Sequence, residues 1–130
     1  LPGMIARGTG HVAWISSVAG YGGLPNAASY GATKAAPINM AESVKPELDR
    51  KGIVTSVVNP GFVQTQLTAK NEFDMPFLME VEPAAVAMVD GLVAEKFEVR
   101  FPWQLVWILK TLNKLPYWLY FKVTRSLIRN

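Results

Sequence analysis

The sequence predicts an α/β fold in which helices cover a parallel β-sheet. Two short, nearly continuous apolar runs, His11-Val12-Ala13-Trp14-Ile15-Ser16 and Ile53-Val54-Thr55-Ser56-Val57-Val58, have the composition of strands buried on both faces. Residues 26–50, between the two runs, show helical spacing. The resulting order of strand, helix, strand, helix, strand is that of parallel crossover units.

Taken in order, residues 1–7 read as the end of a helix, which the glycines of Arg7-Gly8-Thr9-Gly10 can stop. The first strand follows, then a glycine-rich loop from Ser17 to Pro25. Along the helix at 26–50, Ala28, Ala32, Ala35, Ala36, Met40, Val44 and Leu48 supply a broad apolar face, and Asn26 is placed to cap its start. Lys51-Gly52 breaks this helix before the second strand, and Asn59-Pro60-Gly61 reads as a turn after it. Residues 62–82 mix loop and short helix, Pro83 suits the first turn of a helix running to about Lys96, and Phe97–Phe101 reads as a third strand. Two aromatic, apolar segments, 102–113 and 116–129, end the chain. Three strands are few for a parallel sheet, so part of the domain is expected to lie outside these residues.

Composition excludes several classes of function. The 130 residues suit one domain, and half of them are hydrophobic, which is a globular balance. Thirteen basic and ten acidic residues leave a charge of only +3, so nucleic acid is not an expected partner. Without cysteine there is no disulfide, thiolate zinc site or cysteine nucleophile, and the lone His11 gives no metal-site pattern. Neither a leader sequence nor an uncharged apolar run of membrane-spanning length is visible.

The chemistry-bearing pattern is Tyr30-Gly31-Ala32-Thr33-Lys34, which places a phenol and an ammonium one helical turn apart on one face. A free phenol, with a pKa of ~10, is poorly matched to acid–base work at neutral pH, and a nearby ammonium favours the phenolate. In isolation the same pair also reads as an exposed tyrosine and a surface lysine. Context favours chemistry. Ser17 lies where the first strand exits, and Asn59-Pro60-Gly61-Phe62-Val63-Gln64-Thr65 lies where the second does. Carboxyl ends of parallel strands are where such sheets bind ligands.

Together, Ser16-Ser17-x-Ala19-Gly20, Tyr30-x-x-x-Lys34 and Asn59-Pro60-Gly61-x-Val63-x-Thr65 resemble the second half of a short-chain dehydrogenase/reductase, over about residues 1–100. The resemblance implies a partial Rossmann-like, doubly wound sheet with extra C-terminal helices: residues 1–101 as the carboxyl half of the domain, 102–130 as an extension. It implies NAD or NADP as cofactor and hydride transfer to or from a carbonyl/hydroxyl substrate. Tyr30 would be the acid/base, Lys34 would bind the nicotinamide ribose and tune Tyr30, and Ser17 would orient the substrate carbonyl. Pro60, Gly61 and Val63 would line the nicotinamide, and Thr65 would hydrogen-bond its carboxamide or the phosphates. The whole protein would be homo-oligomeric and cytoplasmic, either free or peripheral to the membrane.

The family's glycine-rich fingerprint is not among these residues; Gly20-Tyr21-Gly22-Gly23 follows the wrong strand. The 130-residue chain is therefore expected to be inactive alone. Pro37 also departs from the pattern: an interior proline kinks a helix, and the kink could either be tolerated locally or misplace Lys34.

Other residues read more simply. His11 starts a strand, Trp14 is expected in the core between sheet and helix, and Asp49 and Arg50 end a helix in solvent. Residues 71–79 fall where the family carries a variable substrate lid. Phe73, Met75 and Phe77 there would make an adaptable wall for an apolar substrate, or else simply pack in the core. In the tail, Lys122, Arg125 and Arg129 share one helix face among Tyr117, Trp118, Leu119, Tyr120, Phe121, Leu127 and Ile128. That combination suits a helix lying peripherally in a membrane interface, or one packing on its own domain or a partner subunit. The alternatives to a redox enzyme are a non-catalytic binder of the same fold and a membrane-associated interaction module.

Overall fold

A computed structural model describes residues 1–66, 68–71 and 74–128. Its spine is the strand β2 (Ile53–Pro60), flanked in parallel by β1 (Gly10–Ile15) and β3 (Glu98–Phe101). Register runs from Gly10 opposite Ile53 to Ile15 opposite Val58, and from Val57 opposite Glu98 to Pro60 opposite Phe101. Being paired on both sides, β2 is nearly all buried, which explains its unbroken apolar and small composition. Asn59 and Pro60, expected in a turn, are the last residues of this strand, and regular strand gives way to irregular chain only from Gly61.

Short α1 (Pro2–Arg7) ends on Gly8 in the left-handed conformation and leads into β1. The long α2 (Ala28–Asp49) crosses from β1 to β2, and α3 (Val81–Val93) crosses from β2 to β3. Val58, Ala84, Val99 and Phe101 form one core with Val63, Met79 and Leu92 around them. After β3 come α4 (Trp103–Asn113) and α5 (Tyr117–Arg125). Leu105 and Val106 of α4 close a second core with Val18, Phe62 and Leu109.

The face of α2 that meets the sheet differs from the expected one. Gly31, Ala41 and Leu48 are buried and Lys34, Ile38 and Lys45 half-buried, whereas Ala28, Ala32, Ala35, Ala36 and Met40 are exposed. Alanine is equally at ease on either side of a helix, so its positions carried no directional information. Asn26 does not cap α2 either. It takes a positive φ of 61°, and Ala27 occupies the capping position without a side-chain bond. Trp14 is half-buried, lining an open groove with Met4, Val44 and Leu48, and its indole N–H is buried without a partner.

His11 serves as a tie between strands. Its Nε2 lies 2.7 Å from Ser56 Oγ, which itself donates to the Lys96 carbonyl at 2.7 Å. With the serine proton so committed, His11 is the donor, which fixes its proton on Nε2.

Candidate active site

Tyr30 and Lys34 occupy adjacent turns of α2. Tyr30 is exposed, Lys34 is half-buried on the sheet-facing stripe, and Lys34 Nζ lies 5.7 Å from the centroid of the Tyr30 ring. Pro37 lacks the N–H that would bond the Thr33 carbonyl. The helix nevertheless runs through it to Asp49, with Lys34 still beside Tyr30, which agrees with local tolerance of the proline, the other outcome the sequence left open.

The loop leaving β1 is fastened to this same stretch of α2. Ser16 Oγ donates to the Lys34 carbonyl in a short hydrogen bond. Gly20 lies so close that a Cβ there would stand 2.5 Å from the Lys34 carbonyl oxygen, so any side chain would force the loop and the helix apart. Ser17, buried, accepts from the Ala19 N–H at 3.2 Å and donates to the Pro60 carbonyl at 3.4 Å, while the Ser16 N–H bonds Val58 at 2.8 Å. The end of β1, the end of β2 and the Tyr30–Lys34 turn are thereby drawn together through backbone contacts. No hydrogen bond among the described residues joins the Tyr30 phenol, the Lys34 ammonium and the Ser17 hydroxyl directly.

Beyond β2, the Gly61 N–H donates to the Phe101 carbonyl at 2.7 Å, and a Cβ on Gly61 would meet Leu105 and Pro102 at 2.9 Å each. Gly61 is pressed against the start of α4. Val63 bridges to Met79, with Met79 N–H bonding Phe62 at 2.9 Å and Gln64 N–H bonding Met79 at 2.8 Å. This clasp closes the segment that holds the expected substrate wall. Within it Met75 is half-buried, its sulfur 3.6 Å from Asn71 Nδ2, and Phe77 is exposed with a φ of 57°; Phe73 lies outside the described residues. Thr65 is exposed, and its backbone N–H donates to Thr68 Oγ1 at 2.8 Å.

Sequence reasoning passed over a half-buried polar cluster beside the end of β2. The Glu98 carboxylate accepts from Tyr21 OH at 2.6 Å, Asn59 Nδ2 at 3.1 Å, Arg100 at 2.6 Å and Lys110 at 2.5 Å. Lys110 also stands 5.0 Å over the Tyr21 ring. Burial alone would raise the Glu98 carboxyl, but its bonds from Lys110, Tyr21, Asn59 and Arg100 outweigh that and hold it at about 2. Burial first, and then the bond to Glu98, push the Tyr21 phenol well above its ordinary range. The cluster links the loop after β1 (Tyr21), the end of β2 (Asn59), β3 (Glu98, Arg100) and α4 (Lys110). Its one signal in the sequence was an acid and a base, Glu98 and Arg100, inside the short strand segment Phe97–Phe101.

The short chain dehydrogenase family matches residues 1–75. An uncharacterized oxidoreductase of Myxococcus xanthus is 42% identical over 116 residues, which cover 89% of this chain and 46% of that protein. The 17-beta-hydroxysteroid dehydrogenase 13 of Mus musculus is 30% identical, over 78% of this chain and 34% of its own length. Among solved structures, a short-chain dehydrogenase from Burkholderia cenocepacia in complex with NADP superposes with a TM-score of 0.77 at 25% identity, covering 93% of this chain and 49% of that one. A short-chain dehydrogenase from Sphingobium yanoikuyae in complex with NADPH gives 0.70 at 26% identity, covering 99% and 50%. The chain thus spans about half the length of the proteins it matches.

Proposed function

The chain belongs to the short-chain dehydrogenase family, and on that premise we propose that it carries the proton-transfer half of an NAD(P)-dependent oxidoreductase. The observation that carries this reading is the fastening of the Ser16–Gly20 loop to the turn bearing Tyr30 and Lys34, with Lys34 Nζ 5.7 Å from the Tyr30 ring.

The donor set fits the nicotinamide end of such a cofactor. An exposed phenol stands beside an ammonium that forms no ion pair among the described residues, and Pro60 ends the neighbouring strand, with Gly61 and Thr65 following it. Lys34, Pro60, Gly61, Val63 and Thr65 would hold the group. When bound, a nicotinamide supplies or accepts the hydride. Tyr30 gives its phenolic proton to the substrate oxygen in reduction and takes it back in oxidation, and Lys34 stabilises the phenolate in between. Ser17 orients the substrate oxygen by exchanging its long 3.4 Å bond to Pro60 for one to the substrate.

The exposed Phe77 and Leu78 and half-buried Met75 support an apolar substrate. The reading places residues 1–101 in the catalytic unit and 102–130 as its extension, within a cytoplasmic, homo-oligomeric whole protein. It also holds that the 130-residue chain alone does not turn over, because the neighbours that contain NADP or NADPH are about twice as long. Retention of Lys34 beside Tyr30 despite Pro37 favours an enzyme over a non-catalytic binder.

Tyr30→Phe in the full-length protein tests this. Turnover of carbonyl substrates should fall by about 10²- to 10⁴-fold with cofactor binding retained. Unchanged turnover in this variant would refute the proposal.

A further inference from the structure

The most unusual surface of the molecule is its last thirty residues. The inward side of α4 is spent on the core through Leu105, Val106, Leu109 and Leu112. Its outward side is also apolar: Trp103 is 74% exposed and Trp107 66%, with Ile108 beside them. On α5 the inward positions are Tyr120, whose hydroxyl bonds the Gly23 carbonyl, and Thr124. The outward positions are Tyr117 at 78%, Trp118 at 72% and Phe121, whose ring stacks on Tyr117 at 5.7 Å. A helix apolar on the side turned to water marks a contact surface.

Charge identifies the contact. No Asp or Glu occurs after Glu98, while Arg100, Lys110, Lys114, Lys122, Arg125 and Arg129 all do. Arg100 and Lys110 are paired to Glu98; no ion pair holds Lys114, Lys122 or Arg125 among the described residues. Spacing puts Lys114 on the Trp103–Trp107 face of α4, and Lys122 and Arg125 on the Trp118–Phe121 face of α5. At 11 and 9 residues, the helices are about 17 and 14 Å long, roughly half a bilayer's apolar thickness. Among the described residues no helix can cross a membrane. Tryptophan and tyrosine settle at the boundary between headgroups and acyl chains, and lysine and arginine meet anionic headgroups there. A second copy of this chain is a poorer occupant, because a two-fold contact would set the same cationic patch against itself.

We propose that the outward faces of α4 and α5 form a lipid-binding surface that seats the protein in the interfacial layer of an anionic membrane. The surface begins at the active-site end of the sheet, because α4 starts directly after β3 and packs against Gly61. The membrane therefore meets the protein on the side where an apolar substrate would enter. The proposal itself does not depend on Tyr30 chemistry.

The test is flotation of the full-length protein with vesicles of phosphatidylcholine alone or mixed with phosphatidylserine. Wild type should float with both, more strongly with the mixed vesicles, and salt should remove only that excess. Trp107→Ser with Trp118→Ser should weaken binding at least tenfold on both. Lys122→Gln with Arg125→Gln should weaken binding to mixed vesicles by about twenty-five-fold, roughly fivefold per charge, and leave binding to phosphatidylcholine unchanged. All four side chains are exposed, so both variants should keep the parent's circular dichroism and melting temperature. Absence of wild-type flotation, or a dimer that the tryptophan variant dissociates without any vesicle binding, would overturn the proposal. Turnover measured with a soluble carbonyl should be the same in wild type and in both tail variants, so its loss in Tyr30→Phe reports only on the chemistry.

Discussion

Replacing Glu98 with glutamine should remove a large part of this fold's stability, and do so only where the carboxylate is charged. The carboxyl falls from 4.5 in a free chain to about 2 in the fold, with its side chain 18% exposed. At about 1.4 kcal/mol per pH unit, that shift contributes about 3–4 kcal/mol at neutral pH. Domains are stable by only about 5–15 kcal/mol, so the effect is easily measured. The sign follows from proton counting. Between about pH 4.5 and 2 the folded state binds fewer protons at Glu98 than the unfolded state does, so this contribution is complete above that window and lost as the pH falls through it. Urea unfolding of wild type and Glu98→Gln, followed by circular dichroism at pH 7, 4 and 2.5, isolates the term from the protein's other carboxylates. The difference between the two should be about 3–4 kcal/mol at pH 7 and shrink toward zero near pH 2. A difference below about 0.5 kcal/mol at pH 7, or one that does not change with pH, would refute the assignment of Glu98 as the charge-bearing centre of the cluster.

Three further substitutions check other parts of the structure. Gly20→Ala drives a methyl group into the Lys34 carbonyl, 2.5 Å away, and should cost about 1–3 kcal/mol by thermal or urea unfolding, with a fall in turnover as the Ser17 loop is displaced. Lys34→Met should lower kcat/KM about a hundredfold and weaken cofactor binding, measured by titration, whereas Tyr30→Phe spares that binding. Ala41→Leu overfills the wholly buried contact of α2 with the sheet and should cost about 1–3 kcal/mol, leaving vesicle binding intact.

The frame of the molecule was legible because each strand announces itself. β2 could be read from Ile53–Val58 since a strand paired on both sides needs apolar or small residues at every position. The sheet-facing side of α2 was not legible. An alanine-rich helix offers no contrast between its faces, and the residue that points toward the sheet near the site is a lysine. Tyr30 and Lys34 were visible as a local, fixed-spacing pair. The Glu98 cluster was not, because Tyr21 and Glu98 stand 77 residues apart and only the folded sheet makes them neighbours. The tail's aromatic and basic character was visible; which of its aromatics turn outward was decided by the packing of Leu105, Val106 and Tyr120.

The pairing of Phe62, Val63 and Gln64 with Met79 has an evolutionary consequence. It works like the neck of a drawstring bag: the stretch from Thr65 to Leu78 can be lengthened, shortened or rewritten while both ends of the cord stay tied. Neither β2 nor α3 need notice the exchange. A lineage can thus rewrite this stretch while keeping the sheet and its helices, and grafting a foreign segment between those two anchor points should leave the scaffold's circular dichroism and melting temperature unaltered.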